Sequence, residues 1–282
     1  MTGFINVNKA QGASSAKEVS IIKKLTKTPC GHMGTLDPMA SGVLPVAIGN
    51  AARLFDYFLE KHKVYVAEFY FGATSDTLDT TGEVIYNVGR VPKEEEIVKV
   101  LQKFTGELLQ MPPKYSAKCV GGKRGYQLAR AGVEFELSPK KVTVYNIKLL
   151  ERTGDSTFTF KIECGGGTYI RSLARDIGES LSTCAIMSSL IRTQSGVFTL
   201  ENSVKSENLT AENIADYVIP TDSVLPYESI VLNDFQAKKL FNGLTVKTNL
   251  PEGLYKVYAP DKSFYGIGCI NQSNLKIRTK LC

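Results

Sequence analysis

One glycine-rich stretch decides how the chain is interpreted, and its sequence is Gly31-His32-Met33-Gly34-Thr35-Leu36-Asp37-Pro38-Met39-Ala40-Ser41-Gly42-Val43-Leu44-Pro45. Glycines adopt backbone conformations that are closed to other residues. An Asp-Pro pair marks a turn, because proline moves the preceding residue away from helix. We therefore expect Asp37 on a tight loop before a short buried strand over residues 43–48. Such a loop could hold a reactive carboxylate, although turn capping explains most Asp-Pro pairs.

The composition is that of a folded protein with a modest excess of positive charge. The 282 residues allow one large domain and a small one, and the net charge of +6 is compatible with a polyanionic partner without proving one. Six cysteines form no C-x-x-C pair and histidines number two, so we expect no metal site. We find no export signal and no apolar run of membrane-spanning length, and we expect a cytoplasmic protein with reduced cysteines.

The N-terminal residues predict a strand followed by a helix. Apolar and polar residues alternate over residues 3–9, as in a half-buried strand. Apolar residues then recur at helical spacing over residues 15–25. Ser15 and Glu18 have the spacing of a capping box, so we expect the helix to begin there.

A second helix is predicted after the glycine-rich stretch. Asn50 is a suitable N-cap for a helix over residues 51–61. Arg53 lies in its first turn, which would place it close to the Asp37 loop. A solvated surface charge is the alternative interpretation of this arginine.

A long strand is predicted over residues 64–73, and it is unusually aromatic. Tyr65, Phe69 and Phe71 are separated by even numbers of residues, so they share one face of the strand. Most aromatic residues on a strand pack in a core, and that is the simplest interpretation here.

The middle of the chain predicts further helices and strands. A helix over residues 93–105 would bury a stripe of apolar residues formed by Ile97, Val98, Leu101 and Phe104. The patterns that follow predict strands over residues 142–150, 156–164 and 185–191 and a helix over residues 168–178 that Thr168 begins.

Two segments could contact phosphate groups. A run of basic residues with tyrosines between them suits a nucleic-acid backbone, although a solvated charged loop is equally compatible, and it comprises Lys118, Lys123, Arg124, Arg130, Tyr115 and Tyr126. Three glycines at 165–167 precede a helix, but no Gly-Lys-Ser/Thr follows them. We therefore reject nucleotide hydrolysis.

The composition shifts near residue 229 to short strands and a glycine-rich rhythm. Strands are predicted over 254–259, 263–270 and 275–279, after a helix over 233–241. We therefore predict a domain over residues 1–228 and a small β-rich domain over residues 229–282.

Four separated stretches, residues 31–45, 63–82, 110–130 and 165–178, resemble the motifs of the tRNA pseudouridine-55 synthases, the bacterial TruB family. The chain departs from the family pattern at Ala10, Gln11, Met33, Cys119 and Ile191. The resemblance implies an α+β fold with a mixed, largely antiparallel sheet, flanking helices and a small β-rich, PUA-like RNA-binding domain at the C-terminus. It also implies a monomeric enzyme that isomerises the uridine at position 55 of the tRNA T loop by flipping the base, without cofactor, metal or obligate protein partner.

The resemblance also assigns roles to individual residues. It implies that Asp37 is the catalytic nucleophile and that the substrate-binding residues are His32, Arg53, Tyr65, Tyr169, Arg171 and Leu190. Arg171 would pair with Asp37, and a positive charge nearby lowers a carboxyl pKa. The simpler alternatives are that Arg171 forms an ion pair with Asp176 and that Tyr65 and Leu190 are ordinary core residues.

Two other classes of function compete with this interpretation. An RNA-binding module could hold the T arm without altering it. A glycoside hydrolase needs two carboxylates flanking one bond, and the matched motifs supply Asp37 alone. Asp76 and Asp79 are expected to cap turns, and we assign them no chemistry.

Overall fold

The computed structural model describes residues 1–59, 62–116, 119–120 and 122–281. The strands, in chain order, are β1 (Gly3–Lys9), β2 (Cys30–His32), β3 (Ser41–Ile48), β4 (Lys63–Phe71), β5 (Ala73–Ser75), β6 (Val84–Tyr86), β7 (Gly106–Gln110), β8 (Cys119–Val120), β9 (Lys123–Arg124), β10 (Lys140–Arg152), β11 (Thr157–Cys164), β12 (Ala185–Ser195), β13 (Phe198–Thr199), β14 (Glu228–Val231), β15 (Val246–Lys247), β16 (Gly253–Tyr258), β17 (Phe264–Asn271) and β18 (Asn274–Lys280).

The helices are shorter than the strands in total length. The α-helices are α1 (Ser15–Thr26), α2 (Asp56–Leu59), α3 (Glu94–Leu101), α4 (Gly125–Arg130), α5 (Ile170–Ser180) and α6 (Asp234–Phe241), and 3-10 turns occupy Gly49–Leu54, Gln102–Phe104, Ser206–Asn208 and Ile214–Tyr217. No helix in the described part of the chain is long and apolar enough to cross a membrane.

A nine-stranded sheet forms the larger part of the molecule. Its strand order is β1-β3-β12-β4-β11-β10-β7, with β2 paired to β3 and β13 paired to β12. The strands β3 and β12 run parallel where they pair, and the other described strand pairs of this sheet are antiparallel. The predicted α+β class with a largely antiparallel sheet is therefore confirmed.

The main core lies between one face of this sheet and the helices α1, α3 and α5. Tyr65, Phe69 and Phe71 all point into it, as the alternation along β4 predicts. Phe69 contacts Phe160 of the neighbouring strand with ring centroids 4.7 Å apart, which is the cross-strand aromatic packing that stabilises sheets. The face carrying Tyr65 is thus fixed by packing along the whole strand.

A five-stranded sheet with the order β14-β16-β17-β18-β15 forms the C-terminal unit. Its first strand begins at Glu228, and the division into residues 1–228 and 229–282 remains our proposal. Ile267 and Leu281 of this unit pack against Phe4 and Val43 of the first.

Two sequence-based predictions about Asn50 and Ser15 are wrong, and in both cases a tertiary hydrogen bond explains the difference. Asn50 does not cap a helix over residues 51–61; it lies in a 3-10 turn, and its amide donates to the carbonyl of Leu281 at 2.9 Å. The end predicted for that helix, Lys61, lies outside the described residues. Ser14 rather than Ser15 caps α1, because the Ser15 hydroxyl is engaged with the backbone of Leu36.

Two further differences concern the segment after residue 92. Val98 is exposed and Val100 is buried, because the buried face of α3 is the helical stripe of Ile97, Val100 and Leu101, and Val98 lies beside it. The edge strand β7, which the sequence analysis missed, pairs with β10 directly after the 3-10 turn Gln102–Phe104. Thr168 precedes α5 by two residues, and Tyr169 occupies its N-cap position.

Candidate active site

Asp37 lies on a turn that closes just before β3, and its carboxylate meets the guanidinium of Arg171. The amide of Ala40 donates to the Asp37 carbonyl at 3.0 Å, which forms the turn. Arg171 lies in the first turn of α5, and its Nη2 is 2.9 Å from Oδ2 of Asp37. The Asp37 side chain is 37% exposed, whereas that of Arg171 is 7% exposed. The pair therefore presents its carboxylate to solvent and keeps its cation inside.

Arg171 is held by more than Asp37. Its Nη1 lies 3.3 Å from Oδ2 of Asp79, whose side chain is 3% exposed. The same guanidinium donates to the backbone carbonyls of Thr77 and Tyr115, each at 3.0 Å. A planar guanidinium with five donors suits this set of acceptors, and it leaves Arg171 one orientation.

Asp79 does not merely cap a turn, which corrects the expectation from sequence. It accepts hydrogen bonds from the Thr77 hydroxyl and from the amide and hydroxyl of Thr81, and it also faces Arg171. The alternative pairing of Arg171 with Asp176 is wrong, because Asp176 pairs with Arg175 at 2.6 Å. Asp79 is thus a functional candidate that the sequence analysis named without giving it a role.

Tyr65 and Leu190 lie on neighbouring strands, on the buried face of the main sheet. Tyr65 on β4 pairs with Arg192 on β12, and Leu190 pairs with Ala67 one step further along the same face. Both side chains are buried in the main core. Burial raises the pKa of Tyr65 to about 12, so its phenol is neutral at physiological pH.

Tyr169 stands at the other side of the site, where its backbone is clamped by Gln110. The Tyr169 amide donates to Oε1 of Gln110 at 2.8 Å, and Nε2 of Gln110 donates to the Tyr169 carbonyl at 3.1 Å. Burial raises the pKa of the Tyr169 phenol, and the charges of Arg171 and Asp37 act on it as well. The Tyr169 phenol is therefore close enough to the ion pair for both of its charges to affect the pKa.

His32 and Arg53 are placed less centrally. His32 lies half-buried on the short strand β2, opposite Val46. Arg53 is exposed, and its Nη1 donates to the carbonyl of Lys280 at 2.8 Å. Among the contacts of the described residues, none joins Arg53 to Asp37, so the structure does not bring these two together.

Three buried or half-buried cations near the Asp37 loop were missed from sequence. Arg192 is fully buried, and it donates from Nε to the Val43 carbonyl at 2.7 Å. Lys9 is also fully buried, and its ammonium donates to the carbonyls of Ala13 and Pro38. Burial and the nearby charge of Arg192 together lower the pKa of Lys63 to about 8. Arg192 directly follows the apolar pair Leu190 and Ile191 on β12, and a charge at that place was the available signal.

A cavity of about 720 Å³ is lined by Asp76, Lys114, Tyr115, Ala129 and residues 132–136. Tyr115 is shared with the site, since its carbonyl accepts from Arg171. In the predicted basic run, Lys118 lies outside the described residues, and the side chains of Lys123, Arg124, Tyr126 and Arg130 are not described either.

The chemistry available at this site is that of one partly exposed, ion-paired carboxylate whose charge acts on the phenols of Tyr65 and Tyr169. Within the described ranges, no three His, Cys, Asp or Glu side chains lie close enough to hold a metal ion.

Three family models match successive parts of the chain. The TruB family pseudouridylate synthase N-terminal domain matches residues 22–170, which include Asp37 and Tyr65. The tRNA pseudouridylate synthase B C-terminal domain matches residues 171–231. The model of the C-terminal part of pseudouridine synthase II TruB matches residues 229–279.

Similar proteins point in the same direction. A tRNA pseudouridine synthase B of Clostridium kluyveri is 40% identical over 276 residues, covering 95% of each chain. One of Clostridium tetani is 39% identical over 287 residues, covering 98% of each chain. A solved structure described as a Cbf5-Nop10-Gar1 complex superposes with a TM-score of 0.73 and 26% identity, covering 99% of this chain and 85% of the other. The chain therefore belongs to the TruB family of pseudouridylate synthases.

Proposed function

We propose that this chain converts the uridine at position 55 in the T loop of tRNA into pseudouridine, with Asp37 as the nucleophile. The printed names of relatives about 40% identical support tRNA as the substrate. The observation that carries the mechanism is the 2.9 Å contact between Arg171 Nη2 and an Asp37 carboxylate that stays open to solvent. As a pseudouridine synthase, the chain is an isomerase.

The reaction needs one carboxylate and no added group. The N1–C1′ bond of the uridine breaks, the base turns, and C5 bonds to C1′; C5 then loses its proton to solvent while N1 takes up a proton, so the product is an isomer of uridine. Both bonds belong to the substrate, so a single side chain of the enzyme can start the sequence. Asp37 can act by attack on C1′, by attack on C6 or by triggering formation of a glycal, and all three routes use the same exposed carboxylate.

The target base must leave its stack to reach Asp37, which costs a few kcal/mol. We assign Tyr65 and Tyr169 to stacking on the flipped base, which contributes about 1–3 kcal/mol per ring; the charge of Asp37 acts on both phenols. Leu190 supplies apolar surface beside Tyr65. We assign His32 to the gap that the base leaves in the RNA loop.

Recognition of the RNA is proposed to rest on the shape of the folded T arm and on its unstacked bases. The net charge of +6 favours a polyanion without selecting one. The cavity beside Tyr115 lies where a strand of RNA could enter, because the Tyr115 carbonyl also contacts Arg171. We propose that the enzyme acts in the cytoplasm as a monomer, without an obligate protein partner.

A tritium-release assay tests this proposal. An unmodified tRNA transcript carrying [5-³H]uridine is incubated with the protein, and tritium released to solvent is counted. We expect release of the label from one uridine per tRNA, and none from a transcript with cytidine at position 55. Tight binding of the tRNA without release would instead identify an RNA-binding module. Release that persists with cytidine at position 55 would refute the assignment of the position.

A further inference from the structure

We propose that Arg192 is a positioning residue that holds the Asp37 loop in one fixed arrangement beside Tyr65 before RNA binds. This inference rests on the proposed function, since it concerns the same site. The Arg192 side chain is completely buried.

The Arg192 guanidinium spans the loop that carries Asp37. Nη2 donates to the carbonyl of Gly34 at 3.0 Å and Nη1 to that of Thr35 at 3.5 Å, both before Asp37 in the chain. Nε donates to the carbonyl of Val43 at 2.7 Å, after Asp37. The two ends of the loop are therefore joined through one rigid, planar group.

The same side chain is also a neighbour of Tyr65. The two residues are directly opposite each other on the antiparallel strands β4 and β12, so their side chains lie side by side on one face of the sheet. Burial raises the pKa of the Tyr65 phenol, and the positive charge of Arg192 opposes that rise. A single side chain is thus hydrogen bonded to the loop of the nucleophile and adjacent to the ring proposed to stack on the base. No other side chain in the described part of the chain is shown to make both connections.

The backbone of Arg192 fixes the loop as well. The parallel pairing of β3 with β12 consists of Ser41 with Ile191 and Gly42 with Arg192. A Cβ atom built on Gly42 would lie 2.3 Å from the Arg192 carbonyl oxygen, so only glycine permits this approach. The end of the Asp37 loop is therefore seated directly on the strand that carries Arg192.

The burial of this charge is costly. A buried cation is normally paired with a carboxylate, and none of the described ion pairs includes Arg192. A second cation increases the cost, because a Cβ built on Gly34 would lie 3.5 Å from Lys63 Nζ and 3.7 Å from Arg192 Nη1. A plain core position would be filled more cheaply by an apolar residue. We therefore assign the charge a role in holding the site.

A double-mutant cycle tests the proposal with Arg192→Lys and Tyr65→Phe. Lysine keeps the positive charge and loses the planar fork. We expect Arg192→Lys to reduce the single-turnover rate of tritium release by about 100-fold while the tRNA dissociation constant changes by less than about threefold. In the Tyr65→Phe background the same change is expected to cost at least about fivefold less, because the two residues act together.

Lys9→Met is the matched control. Lys9 is equally buried and donates to the Pro38 carbonyl on the same loop, but no contact with Tyr65 is described for it. We expect its effect on the rate to be the same with Tyr65 or Phe at position 65. A wild-type rate for Arg192→Lys would overturn the proposal. So would an effect of Arg192→Lys that, like that of Lys9→Met, is the same with Tyr or Phe at position 65.

Hydrogen exchange gives a readout independent of activity. The amides of Met33, Leu36 and Ala40 are hydrogen bonded within or beside the loop. We expect Arg192→Gln to speed exchange in residues 33–45 by at least about tenfold and to leave residues 253–280 unchanged. Equal acceleration in both segments, or none in residues 33–45, would show that Arg192 does not position the loop.

Discussion

Replacing Arg171 by methionine removes the guanidinium that Asp37 and Asp79 share, and the two carboxylates should respond differently to its loss. Arg171 lies 2.9 Å from Asp37 and 3.3 Å from Asp79, but the two acids differ in exposure, 37% for Asp37 and 3% for Asp79. Without Arg171, water can solvate the Asp37 carboxylate, whereas the Asp79 carboxylate stays buried without its cation.

The expected loss of stability follows from that difference in exposure. Breaking a buried ion pair by removing one partner costs about 3–5 kcal/mol, because an uncompensated charge is left inside. For a chain of this size, about 2–4 °C of melting temperature is lost per kcal/mol. We therefore expect Arg171→Met to lower the free energy of unfolding by about 3–5 kcal/mol, with the loss arising at Asp79.

Urea unfolding of second-site variants tests this assignment. Asp79→Asn removes the stranded charge while keeping an oxygen for Thr77 and Thr81, so in the Arg171→Met background it should restore at least about 1.5 kcal/mol. Asp37→Asn in the same background should restore less than about 0.5 kcal/mol, because that carboxylate is solvated. Equal recovery by the two substitutions would refute the reasoning from burial.

Three further predictions concern Lys63, Tyr65 and Arg53. The pKa of Lys63 is lowered from 10.5 to about 8, so between these pH values the unfolded chain binds more protons. The unfolding free energy of the wild type relative to Lys63→Met should therefore rise with pH in that window, and a flat difference would contradict it. Tyr65→Leu should abolish tritium release while tRNA affinity falls by less than about tenfold, and an unchanged rate would remove its stacking role. Arg53→Ala should reduce the slope of log binding constant against log salt concentration for tRNA by the amount of about one phosphate contact. The free energy of unfolding should change by less than about 1 kcal/mol. An unchanged slope would mean that Arg53 makes only its structural contact with Lys280.

Local patterns account for the parts of the fold that the sequence predicted. Alternation identified β1, β4, β10 and β11; the last three bury one face against the main core, whereas β1 is buried on both faces. The edge strand β7 was missed because its exposed Leu109 breaks the alternation of apolar and polar residues. The position of β7 is determined by its pairing with β10. Helix α1 was placed correctly, but its cap was assigned to Ser15, whose hydroxyl is taken by a residue of the Asp37 loop.

The sequence predicted only those residues of the site that lie in the family motifs. Asp37 and Arg171 were paired through the family resemblance, and the structure brings them together. Asp79 and Arg192 could not be assigned in that way, because their partners are decided by how distant strands pack. The contacts of Arg192 with Gly34 and Val43 exist only once β3 lies beside β12.

In the proposed mechanism, the Asp37 carboxylate performs the chemistry. The most direct measurement is tritium release from a [5-³H]uridine-labelled T-arm stem-loop under single-turnover conditions, comparing the wild type with Asp37→Asn. We predict no release by the variant and a dissociation constant for the stem-loop within about tenfold of the wild type. Release by Asp37→Asn at a rate comparable to the wild type would contradict the account.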